Sequence, residues 1–266
     1  MPGMTLISLT GAVSLLVWGL YMVKTGILRT FGDNLRTWLS TRLNNRFEGF
    51  AAGFGLASLL QSSTASSLLI AGLQNKGLVS TAIALSCVLG ADLGSAFIVR
   101  VLSLDLSALV PILTIAGVFL FSRRPDTRLG RILLGLAFVM MSLRLIVETT
   151  APIKESGEML EIFASIGASA TLSSLIGAVL ALLCFSSLAV VTVASGMAAS
   201  GVLSVEAGLW VVLGANFGSA LLSCLTTLNS SRIARRAPVG NFVFRSTGFV
   251  AGVLLLAAYP EIKLFF

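Results

Sequence analysis

One stretch of this chain occurs twice, 124 residues apart. Residues 53–96 align with residues 177–220 without a gap, and 18 of the 44 aligned positions are identical. The identities include ordered blocks: a Ser-Ser pair, and a Gly-Ala-x-x-Gly-Ser-Ala segment at 90–96 and 214–220. Shared apolar composition would match only scattered Leu and Ala residues. The chain therefore contains a duplicated unit, and its two copies must have related folds.

The composition of the chain places the duplicated unit in a membrane. Of the 266 residues, 56% are hydrophobic and 11% are charged, against roughly a quarter charged in soluble domains. The chain has no His, and its three Cys lie in apolar runs, which disfavours a zinc site, a disulfide framework and a membrane-embedded hydrolase. We therefore predict an all-α, polytopic membrane protein. The runs that we interpret as membrane spans lie at about 4–23, 78–99, 106–122, 132–147, 203–226 and 239–258.

Basic residues predict the orientation of these spans. They cluster at 24–46, 123–131 and 229–236, and the positive-inside rule places all three clusters in the cytoplasm. Two further apolar segments, 50–73 and 163–198, are interrupted by small polar residues. Each of these segments must begin and end on one side of the membrane if the three clusters share the cytoplasm. We therefore predict two helical hairpins, re-entrant or fully spanning, and both chain termini outside the cell.

The spans and hairpins together predict two inverted repeats in one transport domain. Residues 1–122 form the first repeat and residues 123–266 the second, each with three transmembrane helices and one hairpin. An odd number of crossings turns the second copy upside down. Inverted repeats are typical of secondary transporters, whose binding sites lie near the midplane of the bilayer, although channels use them too. We expect residues 24–48, with basic side chains among Leu, Phe and Trp, to form an amphipathic stretch at the interface.

The predicted tip of the first hairpin is polar. This first tip spans residues 61–67 and reads Gln-Ser-Ser-Thr-Ala-Ser-Ser. Backbone amides and hydroxyls at the N-termini of short half-helices suit an oxyanion, and carbonyl and amide oxygens suit a hard cation such as sodium. The alternative is structural, because hydroxyls in membrane helices often bond to the preceding turn or join neighbouring helices.

Charged residues also lie within the predicted spans. Asp92 lies in an apolar run and aligns with Asn216 in the second copy. An intramembrane carboxylate predicts a cation ligand or a proton carrier, and the alternative is a carboxyl group bonded to neighbouring hydroxyls. Arg144 precedes Glu148 by four residues, which favours a structural ion pair. Arg245 has no partner nearby in the sequence, which leaves anion binding and snorkelling to the interface both open.

These motifs resemble the sodium-dependent phosphate cotransporter family, which comprises the type II sodium/phosphate symporters and their bacterial relatives. That family carries Gln-Ser-Ser-Ser at the tip of each hairpin, followed by Gly-Ala/Ser-Asn-x-Gly-Thr/Ser. Here the first motif is Gln61-Ser62-Ser63-Thr64, and residues 90–95 and 214–219 match the second. Each repeat departs from the pattern in one motif. The second tip, residues 185–191, begins Phe185-Ser186-Ser187-Leu188, and Asp92 replaces an Asn.

The resemblance implies a secondary active transporter, not an enzyme, that couples symport of inorganic phosphate across the cytoplasmic membrane to sodium. Sodium is then the coupling ion, no cofactor or nucleic acid is expected, and the chain could form homo-oligomers in the lipid bilayer. The alternatives are an ion-independent anion channel or exporter on the same scaffold, and a related carrier with a different anion or coupling ion. The implied site residues are Gln61, Ser62, Ser63, Thr64, Ser66, Asp92, Ser186, Ser187 and Asn216. The candidate sodium ligands among them are Gln61, Ser63, Asp92 and Asn216.

Overall fold

The computed structural model describes residues 2–102, 104, 106, 108–123 and 128–258. These residues form eleven α-helices joined by short connections. In chain order the helices are α1 (Pro2–Arg42), α2 (Arg46–Leu60), α3 (Ser63–Asn75), α4 (Thr81–Leu102), α5 (Leu109–Arg123), α6 (Leu129–Glu155), α7 (Gly157–Gly167), α8 (Ala170–Leu183), α9 (Ser187–Ala199), α10 (Val205–Thr226) and α11 (Arg232–Ala258).

Five of the described helices, α1, α4, α6, α10 and α11, are long and apolar enough to cross a membrane alone. A sixth span is added if α7 and α8, which are bent by 100° at a short break, cross as one unit. Five of the six predicted spans lie in these long helices, so the chain is a multi-pass membrane protein. The sixth, 106–122, corresponds to α5, whose 15 residues rise only about 22 Å against a hydrocarbon core of roughly 30 Å.

The first helix continues well beyond the span predicted at 4–23. It is one helix of 41 residues, about 61 Å long, and it includes most of the basic stretch that we expected to lie separately at the interface. After Pro2 no proline occurs within α1, so no proline interrupts this helix. A Cβ on Gly19 would lie 2.9 Å from the carbonyl oxygen of Gly135, so α1 packs closely on α6. The predicted amphipathic stretch is therefore the continuation of α1.

The two copies of the duplicated unit contain the same helix crossing. The helices α2 and α4 cross in the first copy, and α8 and α10 cross in the second. A Cβ on Gly53 would lie 1.8 Å from the carbonyl oxygen of Cys87, and a Cβ on Gly177 would lie 2.1 Å from that of Val211. Only glycine allows the backbones to approach so closely. The copies thus share one local structure, and their inverted orientation in the membrane stays a prediction.

Two helices reach both copies. The long helix α1 contacts α2 of the first copy and α9 of the second, and α11 contacts α3 and α4 of the first and α10 of the second. Side chains on α1 and α11 therefore lie where they can join the two copies.

Candidate functional site

Both tips break the helix in the same way. Gln61 and Phe185 have left-handed backbone conformations, with φ of 51° and 52°, and the following Ser62 and Ser186 are extended, with φ of −159° and −158°. Each serine Oγ accepts a hydrogen bond from the backbone N–H three residues later, at 3.1 Å in the first tip and 3.2 Å in the second. Serine is a preferred N-cap residue, so Ser62 and Ser186 determine where α3 and α9 begin.

The two tips meet at a cavity beside α1, which we call the tip cavity. Its volume is about 540 Å³, within the range of small-molecule binding sites. The first tip contributes Gln61 and Ser62 to its lining, and the second contributes Phe185 and Ser186. Residues from both tips therefore share one cavity. Its remaining lining residues are Val17, Trp18, Leu20, Tyr21 and Lys24 of α1, with Leu60, Leu183 and Cys184.

The two tips offer different chemistry to the tip cavity. Gln61 is 6% exposed, and its Oε1 has no hydrogen-bond partner among the described residues. At the equivalent position Phe185, which is 62% exposed, brings an aromatic ring. A buried amide oxygen costs free energy unless a partner satisfies it. The Gln61 side chain is therefore a candidate ligand-binding group that the second tip lacks.

A second polar cluster, the Arg245 cluster, surrounds the guanidinium of Arg245 in α11. Its Nε and Nη2 donate to the two carboxylate oxygens of Asp92, at 2.9 and 2.5 Å. Nη2 also donates to Ser63 Oγ at 2.9 Å. Nη1 donates to the backbone carbonyl oxygen of Asn216 at 3.0 Å and to Ser219 Oγ at 2.5 Å. All five N–H groups of the guanidinium therefore have acceptors.

The Arg245 cluster joins the two copies of the duplicated unit. Asp92 and Asn216, which are equivalent positions in the repeat, contact the same guanidinium. Sequence analysis placed both at one site but left Arg245 unassigned. Charge complementarity was the available signal, because an arginine and a carboxylate deep in separate spans favour each other as partners.

The ion pair at the centre of the Arg245 cluster is buried. The side chains of Arg245 and Asp92 are 6% and 16% exposed, and both carboxylate oxygens accept hydrogen bonds from the guanidinium. A sodium ion bound at Asp92 would therefore lie beside another cation, which is unfavourable at low dielectric. Sodium binding there would have to overcome the repulsion between the ion and the guanidinium.

The remaining site residues implied by the sequence are buried in α3 and α9. Thr64 and Ser187 are 9% and 7% exposed, and Ser66 Oγ donates to the carbonyl oxygen of Ser62 at 2.9 Å. Ser66 thus makes the bond to the preceding turn that the structural alternative predicts. The other implied residues divide into two groups: Gln61, Ser62 and Ser186 at the tip cavity, and Ser63, Asp92 and Asn216 at the Arg245 cluster.

Comparison with known protein families agrees with the motifs at the tips. Residues 15–148 and 154–255 match the model of a family described as Na+/Pi-cotransporter. The chain belongs to the Na+/Pi-cotransporter family. The resemblance found in the sequence is therefore confirmed. Members of the Na+/Pi-cotransporter family are transporters, so the prediction that the chain is not an enzyme is confirmed as well.

Individual bacterial proteins are similar to most of the chain. Proteins of Escherichia coli K12 and Salmonella typhimurium, each named "Putative inorganic phosphate export protein YjbB", are 41% identical over 248 and 260 residues. These alignments cover 92% and 97% of this chain but 46% and 48% of the relatives, so the chain spans about half their length. The "Uncharacterized protein YqeW" of Bacillus subtilis is 22% identical over 255 residues, which cover 95% of this chain and 83% of that protein. No solved structure shows a significant match.

Proposed function

We propose that this chain carries inorganic phosphate across the cytoplasmic membrane and binds it in the tip cavity. The observation that carries this proposal is that both tips contribute polar residues to one cavity. Membership of the Na+/Pi-cotransporter family supports phosphate as the substrate, and so do the names of the Escherichia coli and Salmonella relatives.

The donors at the tip cavity suit a tetrahedral oxyanion. Ser62 and Ser186 accept hydrogen bonds from backbone amides, and a hydroxyl that accepts can still donate its own proton to an anion. The amide nitrogen of Gln61 adds further donors. The helices α3 and α9 begin at the tips, where the helix dipole favours negative charge. Hydroxyl and amide donors hold an anion less tightly than a cage of arginines, which favours release on the far side of the membrane.

Sodium is the coupling ion in this proposal. Gln61 Oε1 is a buried oxygen with no partner among the described residues, and such an oxygen suits a hard cation. The other candidate ligands, Ser63, Asp92 and Asn216, accept hydrogen bonds from Arg245. Sodium binding at those residues and opening of the Arg245 cluster would therefore be the same step.

The inverted arrangement of the two copies belongs to the same proposal. The two tips would lie near the midplane of the bilayer with both termini outside, and access would alternate through movement of the broken helices or of one bundle around the site. The shared crossing in the two copies supports a common ancestor for the halves, and their opposite orientation rests on the distribution of basic residues.

The test is uptake of labelled phosphate into proteoliposomes with an imposed sodium gradient. We expect the gradient to stimulate uptake, and we expect Gln61→Ala to reduce uptake about tenfold, as for loss of a ligand hydrogen bond. Gln74→Ala is the control, because it removes the same side chain from a buried position in α3 that does not line the tip cavity, where its amide donates to Thr81 Oγ1 at 2.9 Å. Equal uptake by the two variants would reject this site, and uptake unaffected by collapse of the gradient would reject sodium coupling.

Sodium-independent export is a second candidate, because two relatives carry export in their names. Direction alone does not separate the candidates, since a symporter runs outward when the gradients require it. Saturable efflux from phosphate-loaded vesicles that is insensitive to sodium on both sides would favour the exporter. Flux that rises linearly with phosphate concentration would indicate a channel.

A further inference from the structure

The tip cavity contains a lysine that the family motifs do not include. Lys24 of α1 lines the cavity together with the two tips, and it is half-buried. It is the first charged residue of the sequence, and the next is Arg29. Its neighbours Val23 and Ile27 are buried, at 2% and 8% exposure. The ammonium group therefore lies at the boundary between an apolar helix interface and the cavity.

No counter-charge for Lys24 is found in the part of the chain that the structure describes. The ion pairs of that part join other residues, and Lys24 is not among the residues with a further polar contact. A half-buried ammonium in a membrane helix is costly unless an anion or water balances it. Lys24 thus provides positive charge at the cavity that no described acid neutralises.

A second cation lies next to the same turn of α1. Arg131 of α6 donates from Nε to Thr25 Oγ1 at 3.1 Å, and its guanidinium lies 5.9 Å from the ring centre of Tyr21, which lines the tip cavity. We call Lys24 and Arg131 the basic mouth. Two cations of one sign at a cleft raise the local concentration of anions.

The basic mouth lies at one end of the wall that α1 contributes to the cavity. The α1 residues of that wall extend from Val17 to Lys24, about 10 Å along the helix axis. Lys24 and the hydroxyls of Ser62 and Ser186 therefore line one and the same cavity. The charge and the neutral donors of the site lie on different helices.

We propose that Lys24 is an anion-binding residue of this transporter, whose ammonium provides the counter-charge for a tetrahedral oxyanion in the tip cavity. The identity of that oxyanion as phosphate rests on the proposed function. Lys24 sets the affinity for the anion on the side of the membrane that the basic mouth faces, and the tip hydroxyls and the Gln61 amide complete the coordination.

The experiment is calorimetric titration of inorganic phosphate, and separately of sulfate, into the full chain in detergent. Loss of one charge-assisted hydrogen bond corresponds to about a tenfold or greater loss of affinity, and we expect this loss of phosphate affinity in Lys24→Gln. Lys24→Arg keeps the charge, so it should lose at most about threefold in affinity. Arg29→Gln is the matched control: it removes the same charge from α1, at an exposed residue outside the tip cavity, and it should leave affinity unchanged.

A second measurement needs no variant. Inorganic phosphate should slow acylation of the Lys24 amine in the wild-type chain at least threefold, measured residue by residue by mass spectrometry. Lys76, which is exposed and follows α3, is the internal control and should react at an unchanged rate. If Lys24→Gln does not fold, this measurement still tests whether Lys24 binds the anion.

The outcomes separate the inference from the proposed function. The inference would be overturned if Lys24→Gln and Arg29→Gln bound phosphate and sulfate with equal affinity, or if phosphate did not protect Lys24 from acylation. Either result would show that the Lys24 side chain extends to the membrane–water interface without binding an anion. Lys24-dependent binding of sulfate without binding of phosphate would support the role of Lys24 and reject phosphate as the substrate. Binding of neither anion by the wild-type chain would overturn both.

Discussion

The buried ion pair of the Arg245 cluster should give a large coupling free energy in a double-mutant cycle. Arg245→Met leaves the Asp92 carboxylate, which is 16% exposed, without its cation, and breaking a buried ion pair in this way costs about 3–5 kcal/mol. Asp92→Asn keeps one acceptor oxygen but leaves the Arg245 cation, which is 6% exposed, without its counter-charge, so it should also cost about 3–5 kcal/mol. The double variant leaves no unpaired charge. We therefore expect it to cost about 3 kcal/mol less than the two single costs together.

The free energy of unfolding can be measured by titration with sodium dodecyl sulfate in mixed micelles. Trp210 is a suitable fluorescent probe because it is 7% exposed and lies in α10, the helix that contributes Asn216 to the cluster. The exposed Trp18 and Trp38 would be replaced by Phe in every variant, so that the signal reports on one tryptophan.

The control is the same cycle at Arg144 and Glu148. This ion pair, which the sequence spacing predicted, is present at 2.7 Å, but its side chains are 72% and 52% exposed. Exposed ion pairs contribute about 0.2–1 kcal/mol, so this cycle should show little coupling. If the coupling at Arg245 and Asp92 is no larger than in the control, the buried ion pair is not formed as described. The proposal that sodium must open the Arg245 cluster would then fail too.

Four further substitutions test the glycine crossing and the second tip. Gly53→Ala should destabilise the fold by about 2 kcal/mol, because its Cβ would lie 1.8 Å from the Cys87 carbonyl oxygen. Gly55→Ala should stabilise the fold by about 0.5–1 kcal/mol, because a Cβ there would meet nothing within 4 Å. Equal changes in the free energy of unfolding in the detergent titration would contradict the crossing. Phe185→Gly should stabilise the fold by about 1 kcal/mol, because a backbone φ of 52° disfavours any residue with a Cβ. A net loss of stability would show instead that the Phe185 ring packs tightly. Phe185→Gln gives the second tip an amide and should lower the half-saturating phosphate concentration in the uptake assay about threefold; an unchanged value would place Phe185 outside the site.

The sequence predicted those parts of the fold that depend on local patterns. The duplicated blocks located both tips, because a serine N-cap begins a helix through a hydrogen bond within its own turn. The spacing of Arg144 and Glu148 predicted their ion pair, because residues four apart on a helix are neighbours. Five of the predicted spans coincide with long apolar helices because hydropathy alone determines them.

Contacts between distant segments could not be predicted in this way. Arg245 lies 153 residues from Asp92 in the chain, and periodicity on one helix carries no information about a partner on another. Lys24 was assigned to an interfacial stretch because its basic neighbours resemble one, whereas α1 continues through it and places it at the tip cavity. Only the packing of α1 against both tips reveals that position.

The glycine crossings also explain how a duplicated gene could produce two unequal halves. At Gly53 and Gly177 a single added methyl group would collide with a neighbouring backbone, so mutation is restricted at both crossings regardless of what the protein transports. The Ser-Ser pair of each tip is shared as well, but the residue before it is not: Gln61 in one copy corresponds to Phe185 in the other. Internal sequence identity in this chain therefore marks the positions that the shared local structure requires, whereas Gln61 and Phe185 give the two tips different chemistry.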